Sequence, residues 1–377
     1  MVVGRILVVL VGVALVVTVL GSALKTVVVP RAVVSQLTRR HFRTFRWVFG
    51  HLASPRRPWA TRERVMALYA PLALIALPGT WVALVILGFT AIDWGTGIQP
   101  LSEAFVTSGS SLLTLGYVRP PGLGRVVLSF VEAGIGLGLV SLMISYLPSI
   151  YGSFSRRESL VAMLEVRAGL PPSPVELLQR YRRIGWMDNI DADLFEPWEP
   201  WFADVEESHT SLPALVFFRS PQPQRNWLTA AGCVLDTAAI VASCVDREPT
   251  GKPDLIIRSG FLALRRISDY FGLPYDPDPS PTDPISVTRE EFDEMWEQLD
   301  VVGVPLLADR EQAWRDFAGW RVNYDRPLVA LCDLVMAPPG RWSSDRPVPP
   351  RRARQDRRRV RISRRSRSGP GSRTPRR

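Results

Sequence analysis

Lysine is almost missing from this 377-residue chain, which uses it only at Lys25 and Lys252 and otherwise relies on arginine. That usage fits a GC-rich bacterial genome. Cysteine is scarce too: Cys233, Cys244 and Cys332 are an odd number and widely spaced, which excludes a disulfide framework or a zinc cage and suits reduced core thiols. No glycine fingerprint for a nucleotide is present, so a dinucleotide-binding domain is not expected. Alternating strand patterns are scarce, which argues against a strand-rich ligand domain. No nucleophile, acid pair or metal cluster stands out. The chain is therefore not read as an enzyme, and no cofactor is expected.

What is present is unevenly distributed. The net charge of +10 conceals a split, because fourteen Arg and a single acid, Asp356, follow Asp345. Ser153 to Asp345 carries 19 basic and 31 acidic residues, whereas Lys25 to Arg64 sets ten basic residues against Glu63 alone. Long apolar runs are confined to the first 152 residues. Ile6 to Val29 holds 24 residues with Lys25 as its only charge, enough to cross a hydrocarbon core of about 30 Å. It is too long for a signal h-region and is read as an uncleaved span. Met66 to Ile92 is a second span, with Pro71 and Pro78 inside it, and Val126 to Tyr151 is a third that contains Glu132 and Pro148. Proline inside such helices requires neighbours that re-satisfy the freed carbonyls.

Arginines crowd the segment between the first two spans, and Arg156 and Arg157 follow the third, so both flanks are expected to face the cytoplasm. The N-terminus and the loop from Asp93 to Arg125 then face outward. Phe42, Phe45, Trp47, Val48, Phe49 and Leu52 lie among the arginines. Val33 to Leu52 is accordingly either an amphipathic helix on the inner leaflet or an ordinary stop-transfer loop with anchoring aromatics.

Within the outer loop, Pro100 and Glu103 mark a helix start, and Leu101 to Leu113 is too short to cross. Its small and hydroxylated residues (Ala104, Thr107, Ser108, Gly109, Ser110, Ser111) suit packing among helices, the profile of a re-entrant segment. Thr114-Leu115-Gly116-Tyr117-Val118 follows at once. This stretch resembles the Thr-Val-Gly-Tyr-Gly signature of the K⁺-channel superfamily. The order of span, short helix, signature and inner span over Met66 to Glu158 resembles the pore domain of bacterial two-span ion-channel proteins. The resemblance implies a selectivity filter built from the carbonyls of Thr114, Leu115, Gly116, Tyr117 and Val118, K⁺ as permeant ion, and a homotetramer, since one chain supplies one strand of four. Val118 departs from the signature's second Gly, and Arg119 stands where an Asp usually follows.

Glu132 lies about 10 Å into the third span and should face protein rather than lipid. It is expected either to brace the filter, in reach of the short helix's hydroxyls, or to act as a neutral packing residue. Gly134, Gly136 and Gly138 cannot share one helix face, so some serve close packing, and the resemblance favours Gly136 or Gly138 as a gating hinge. Pro148 is a candidate kink at the inner end.

Beyond Arg156 and Arg157 the pattern is helical, and Glu158 to Val166 continues from the third span. Asn226 to Val245 is apolar enough to suggest a fourth span, but Asp236 at its middle argues for a buried core helix. His209 near Glu206 and Glu207 is expected in a solvated acidic turn, without partners for a metal, and Trp186, Trp198 and Trp201 as a half-buried aromatic cluster. The Arg-rich tail is too poor in apolar residues to fold and is expected to be disordered. It is read as a contact for anionic lipid or for the acidic domain beside it, and the basic loop as a contact for anionic lipid, in preference to nucleic acid.

The expected architecture is an all-α membrane protein of the bacterial plasma membrane. Its parts are an N-terminal transmembrane helix (1–30), a basic loop or interfacial helix (31–65), a pore domain (66–152), a mostly helical cytoplasmic domain (153–345) and the tail (346–377). Two functions fit: a tetrameric cation channel, or a non-conducting sensor or scaffold that keeps the pore fold.

Overall fold

The computed structural model describes residues 2–28, 35–54 and 56–347. Arg31, the first residues of the expected Val33 to Leu52 helix and the tail from 348 onward lie outside the described residues. Every described element is helical, and among the described residues the one β-type pairing is an isolated bridge between Val245 and Leu306.

Helix α1 (Val2–Val27) packs along α3 (Trp59–Thr96). The seam depends on glycine, since a Cβ on Gly12 would lie 2.5 Å from the carbonyl oxygen of Gly88 and one on Gly95 would lie 2.9 Å from that of Arg5. Close backbone approach of this kind is how helices associate where lipid offers no hydrophobic drive. α3 is much longer than its apolar run; its first turns carry Arg62, Glu63 and Arg64 away from the apolar zone.

Helix α2 (Gln36–Leu52) is capped by the Ser35 hydroxyl, which accepts from the Leu37 N–H at 3.2 Å. The segment is thus helical rather than a loop. One face, His41, Phe45 and Phe49, lies against α3, while Trp47, Val48 and Leu52 are exposed. His41 Nε2 donates to the Ala73 carbonyl at 2.7 Å, close to where the Pro78 ring interrupts the α3 ladder.

Helix α4 (Leu101–Leu112) is wedged between α3 and α5 (Leu123–Ala168). α5 passes through Pro148 without ending and leaves the apolar zone as one continuous rod, 46 residues long. Its last turns enter a bundle formed by α6 (Pro174–Arg183), α7 (Glu196–Ser211), α8 (Trp227–Cys244), α9 (Lys252–Phe271), α10 (Arg289–Val301), α11 (Arg310–Arg321) and α12 (Asp325–Val335). α10 opens with a capping box between Thr288 and Glu291.

Among the described residues four helices, α1, α3, α5 and α8, are long and apolar enough to cross a membrane. α8 differs from the others in being enclosed by protein: 94% of its apolar window is buried, against 17% for α5. A helix apolar all round belongs at the centre of a bundle, and Asp236 in its middle pairs with Arg321 and accepts from the Tyr324 hydroxyl at 2.9 Å. The three cysteines are buried thiols of this core.

Candidate functional site: the Thr114–Val118 segment and its supports

The chain leaves α4 at Leu113 and runs through Thr114–Val118 without secondary structure. Ser110 holds this segment twice: its carbonyl accepts from the N–H of Leu115 at 2.9 Å, and its hydroxyl accepts from the N–H of Val118 at 3.2 Å. The backbone donors are thereby turned toward α4. Among the described residues no hydrogen bond is accepted by the carbonyls of Thr114, Leu115, Gly116, Tyr117 or Val118. A row of free carbonyls is left, beside side chains of Leu115 and Tyr117 that are 59% and 64% exposed. Positive φ falls on Thr114 (55°) and Gly116 (71°) and not on Val118; at Gly116 glycine meets a conformation that other residues adopt only with strain. The Thr114 hydroxyl donates to the carbonyl of Leu113 at 2.8 Å. Arg119 is exposed.

Two residues of α5 support α4 from behind. Glu132 is 1% exposed and accepts from the Ser108 hydroxyl at 2.5 Å. Burial of a carboxyl is tolerable only with such a partner. One turn on, Gly136 touches the end of α4: a Cβ there would lie 2.0 Å from the Leu112 carbonyl oxygen. Gly136 therefore has a packing duty, whereas Gly134 and Gly138 face open space. Gly136→Ala is expected to lower stability by about 3 kcal/mol, because backbone must move to admit the methyl. Gly138→Ala should stay within about 1 kcal/mol of the parent protein, and the two unfolding midpoints in detergent check the contrast. Arg125 at the start of α5 donates to the Thr96 carbonyl at 2.8 Å, closing the far end of the site onto α3. Pro148 lies on the same rod, about 18 Å beyond Gly136 by helical rise.

The sequence reading missed the joint between α5 and the bundle. Arg157 was expected as a flanking charge, yet it is fully buried. Its Nη1 and Nη2 donate to the carbonyls of Leu215 and Phe218, both at 2.8 Å, and Nη2 pairs with Glu158 at 2.7 Å. Its Nη1 also lies 3.1 Å from His209 Nε2. Arginine has no acceptor, so Nε2 accepts and Nδ1 carries the ring proton toward Ser208, 3.0 Å away. This corrects the expectation for His209: it lies inside α7, buried with its ring tilted against that of Trp227, not in a solvated turn. Burial first, and then the charge of Arg157, hold its pKa well below the usual histidine value. A partner 52 residues away leaves no local signal in a sequence. A second joint is Arg219, which pairs with Glu63 of α3 at 2.5 Å and donates to the carbonyls of Val335 and Met336. Trp198 and Trp201 are core residues, and Trp186 is 46% exposed. Arg346, the first residue of the Arg-rich tail, pairs with Glu291 of α10 at 2.5 Å. Among the described residues no cluster of His, Cys, Asp and Glu could hold a metal ion.

Comparison of the chain with family models, with curated proteins and with solved structures finds no match.

Proposed function

We propose that four copies of this chain form a cation pore of the K⁺-channel type, with Thr114–Val118 as the selectivity filter. The observation that carries the reading is the row of unpartnered carbonyls at the end of a short helix wedged between two long apolar ones. Irregular backbone at membrane depth is tolerated where it lines water or is buried in protein, and carbonyls in a ring can replace an ion's hydration shell. Four copies give that ring, and they cover the Leu115 and Tyr117 side chains and part of the α5 surface that a single chain leaves bare. Glu132 and Ser108 brace α4 behind the filter; bending of α5 near Gly138 or Pro148 opens the inner end. By the positive-inside tendency the arginine flanks favour an orientation with the N-terminus and α4 outside and the bundle in the cytoplasm.

A non-conducting sensor with the same fold is the second reading. It is favoured by Arg119 at the mouth and by Val118, which does not adopt a glycine-like φ. Flux into liposomes under K⁺ or Na⁺ gradients separates the two. K⁺-favouring flux that disappears in Gly116→Asp, a change that puts a carboxylate and a strained φ into the filter, supports the pore; no flux from protein shown to be tetrameric supports the sensor.

A further inference from the structure

A cavity of about 500 Å³ lies where α1, α2, α3 and α5 meet the bundle. Its charge comes from four cations, Lys25 at the end of α1 and Arg39, Arg43 and Arg46 of α2, against one lining carboxylate, Asp269. Arg39, Phe42, Arg43 and Arg46 stand at i, i+3, i+4 and i+7, so one helix face delivers three guanidinium groups and an aromatic ring to the same space. Arg46 is already fixed: it donates to the Leu334 carbonyl at 2.8 Å and lies over the Phe217 ring. Lys25, Arg39 and Arg43 are exposed and carry no ion pair among the described residues. The rest of the lining is largely apolar, including Phe42, Phe217 and Tyr146 of α5.

We propose that this cavity binds a phosphate-bearing ligand with an apolar body, the phosphate held by Lys25, Arg39 and Arg43 and the body lying against Phe42 and Phe217. Three unpaired cations around one space call for an anion, and guanidinium forks match phosphate oxygens in pairs. The site sits at the level of the membrane boundary, since α2 also presents Trp47, Val48 and Leu52 to the outside. The ligand is thus an anionic phospholipid headgroup from the bilayer or a soluble phosphate ester from the aqueous side. Either one bridges α1 and α2 to the Pro213–Phe217 turn that leads from α7 into α8, so occupancy ties the membrane helices to the bundle. The inference holds whether or not Thr114–Val118 conducts.

The test titrates the purified full chain in detergent with dioctanoyl phosphatidylglycerol, dioctanoyl phosphatidylcholine and glycerol 1-phosphate, following binding by calorimetry. The proteins compared are the parent, Arg39→Gln/Arg43→Gln and, as a control on the same helix but outside the cavity, Arg40→Gln. All three positions are exposed, and unchanged unfolding midpoints without ligand show that the variants fold. Saturable binding of the phosphatidylglycerol that weakens roughly thirtyfold in the double variant and not in Arg40→Gln supports the site with a lipid source. Binding of glycerol 1-phosphate with the same dependence supports it with a soluble source. Equal binding of the phosphatidylcholine, equal loss in Arg40→Gln, or no saturable binding of any probe overturns it.

Discussion

Arg321→Met is expected to be among the most destabilising single changes in the bundle, costing about 3–5 kcal/mol and lowering the unfolding midpoint by about 10 °C. Arg321 is fully buried between two carboxylates, Asp236 of α8 and Asp325 at the start of α12, with Nε 3.0 Å from the latter. Its remaining donor reaches the Trp342 carbonyl. Removing the guanidinium leaves two buried acids facing each other, and the methionine fills the space without answering either charge. Asp325 also accepts from the backbone N–H and the hydroxyl of Ser286, at 3.0 and 2.6 Å, so the loss spreads to the segment ahead of α10. Most of the chain's tryptophans lie in the bundle, and their fluorescence during thermal unfolding in detergent reports the shift. A midpoint within about 2 °C of the parent would mean that the network contributes little.

The second large effect is expected at Arg157. Arg157→Met leaves the carbonyls of Leu215 and Phe218 buried without their donor, a cost of about 3 kcal/mol at the ordinary price of an unsatisfied buried group. The turn at Pro213–Phe217 should then open to protease while α3, α4 and α5 keep their mutual contacts. In liposomes the variant should retain whatever flux the parent shows, because the site around Thr114–Val118 shares no contact with Arg157. Arg157→Lys should not restore stability, since one ammonium cannot reproduce the two-armed contact with both carbonyls. Proteolysis unchanged from the parent would exclude Arg157 as the joint.

The two predictions concern the part of the molecule that was hardest to read. The apolar runs of α1, α3 and α5, and the short α4 behind Pro100, were legible because the bilayer imposes length and hydrophobicity on a segment locally. The core position of α8 was legible from one residue, Asp236. The continuation of α5 past Arg156 and Arg157 was legible in the helical pattern of Glu158 to Val166, and the helix runs on to Ala168. What could not be read was which distant groups meet the side chains buried along it, because arginine is a good helix former whether its guanidinium is solvated or enclosed. His209 misled for a related reason: acidic neighbours on the exposed face of α7 gave it a solvated look, although helical periodicity turns it inward to Arg157. At the site, the small and hydroxylated character of α4 was plain, but the double use of Ser110 and the close approach of Gly136 to Leu112 depend on packing across elements.

The glycine seam between α1 and α3 bears on how the chain is assembled. Gly12 meets Gly88, a residue synthesised more than seventy positions later, so during translation α1 emerges long before its partner exists. It therefore has to tolerate the bilayer by itself, and its apolar window, with a mean hydropathy of 2.8 against 2.3 for α3 and 2.1 for α5, is the one best able to do so. Glycine on its waiting face adds no polar side chain that lipid would leave unsatisfied. The seam is in this sense a latch set at biogenesis: α1 enters first, and α3 closes onto it on arrival.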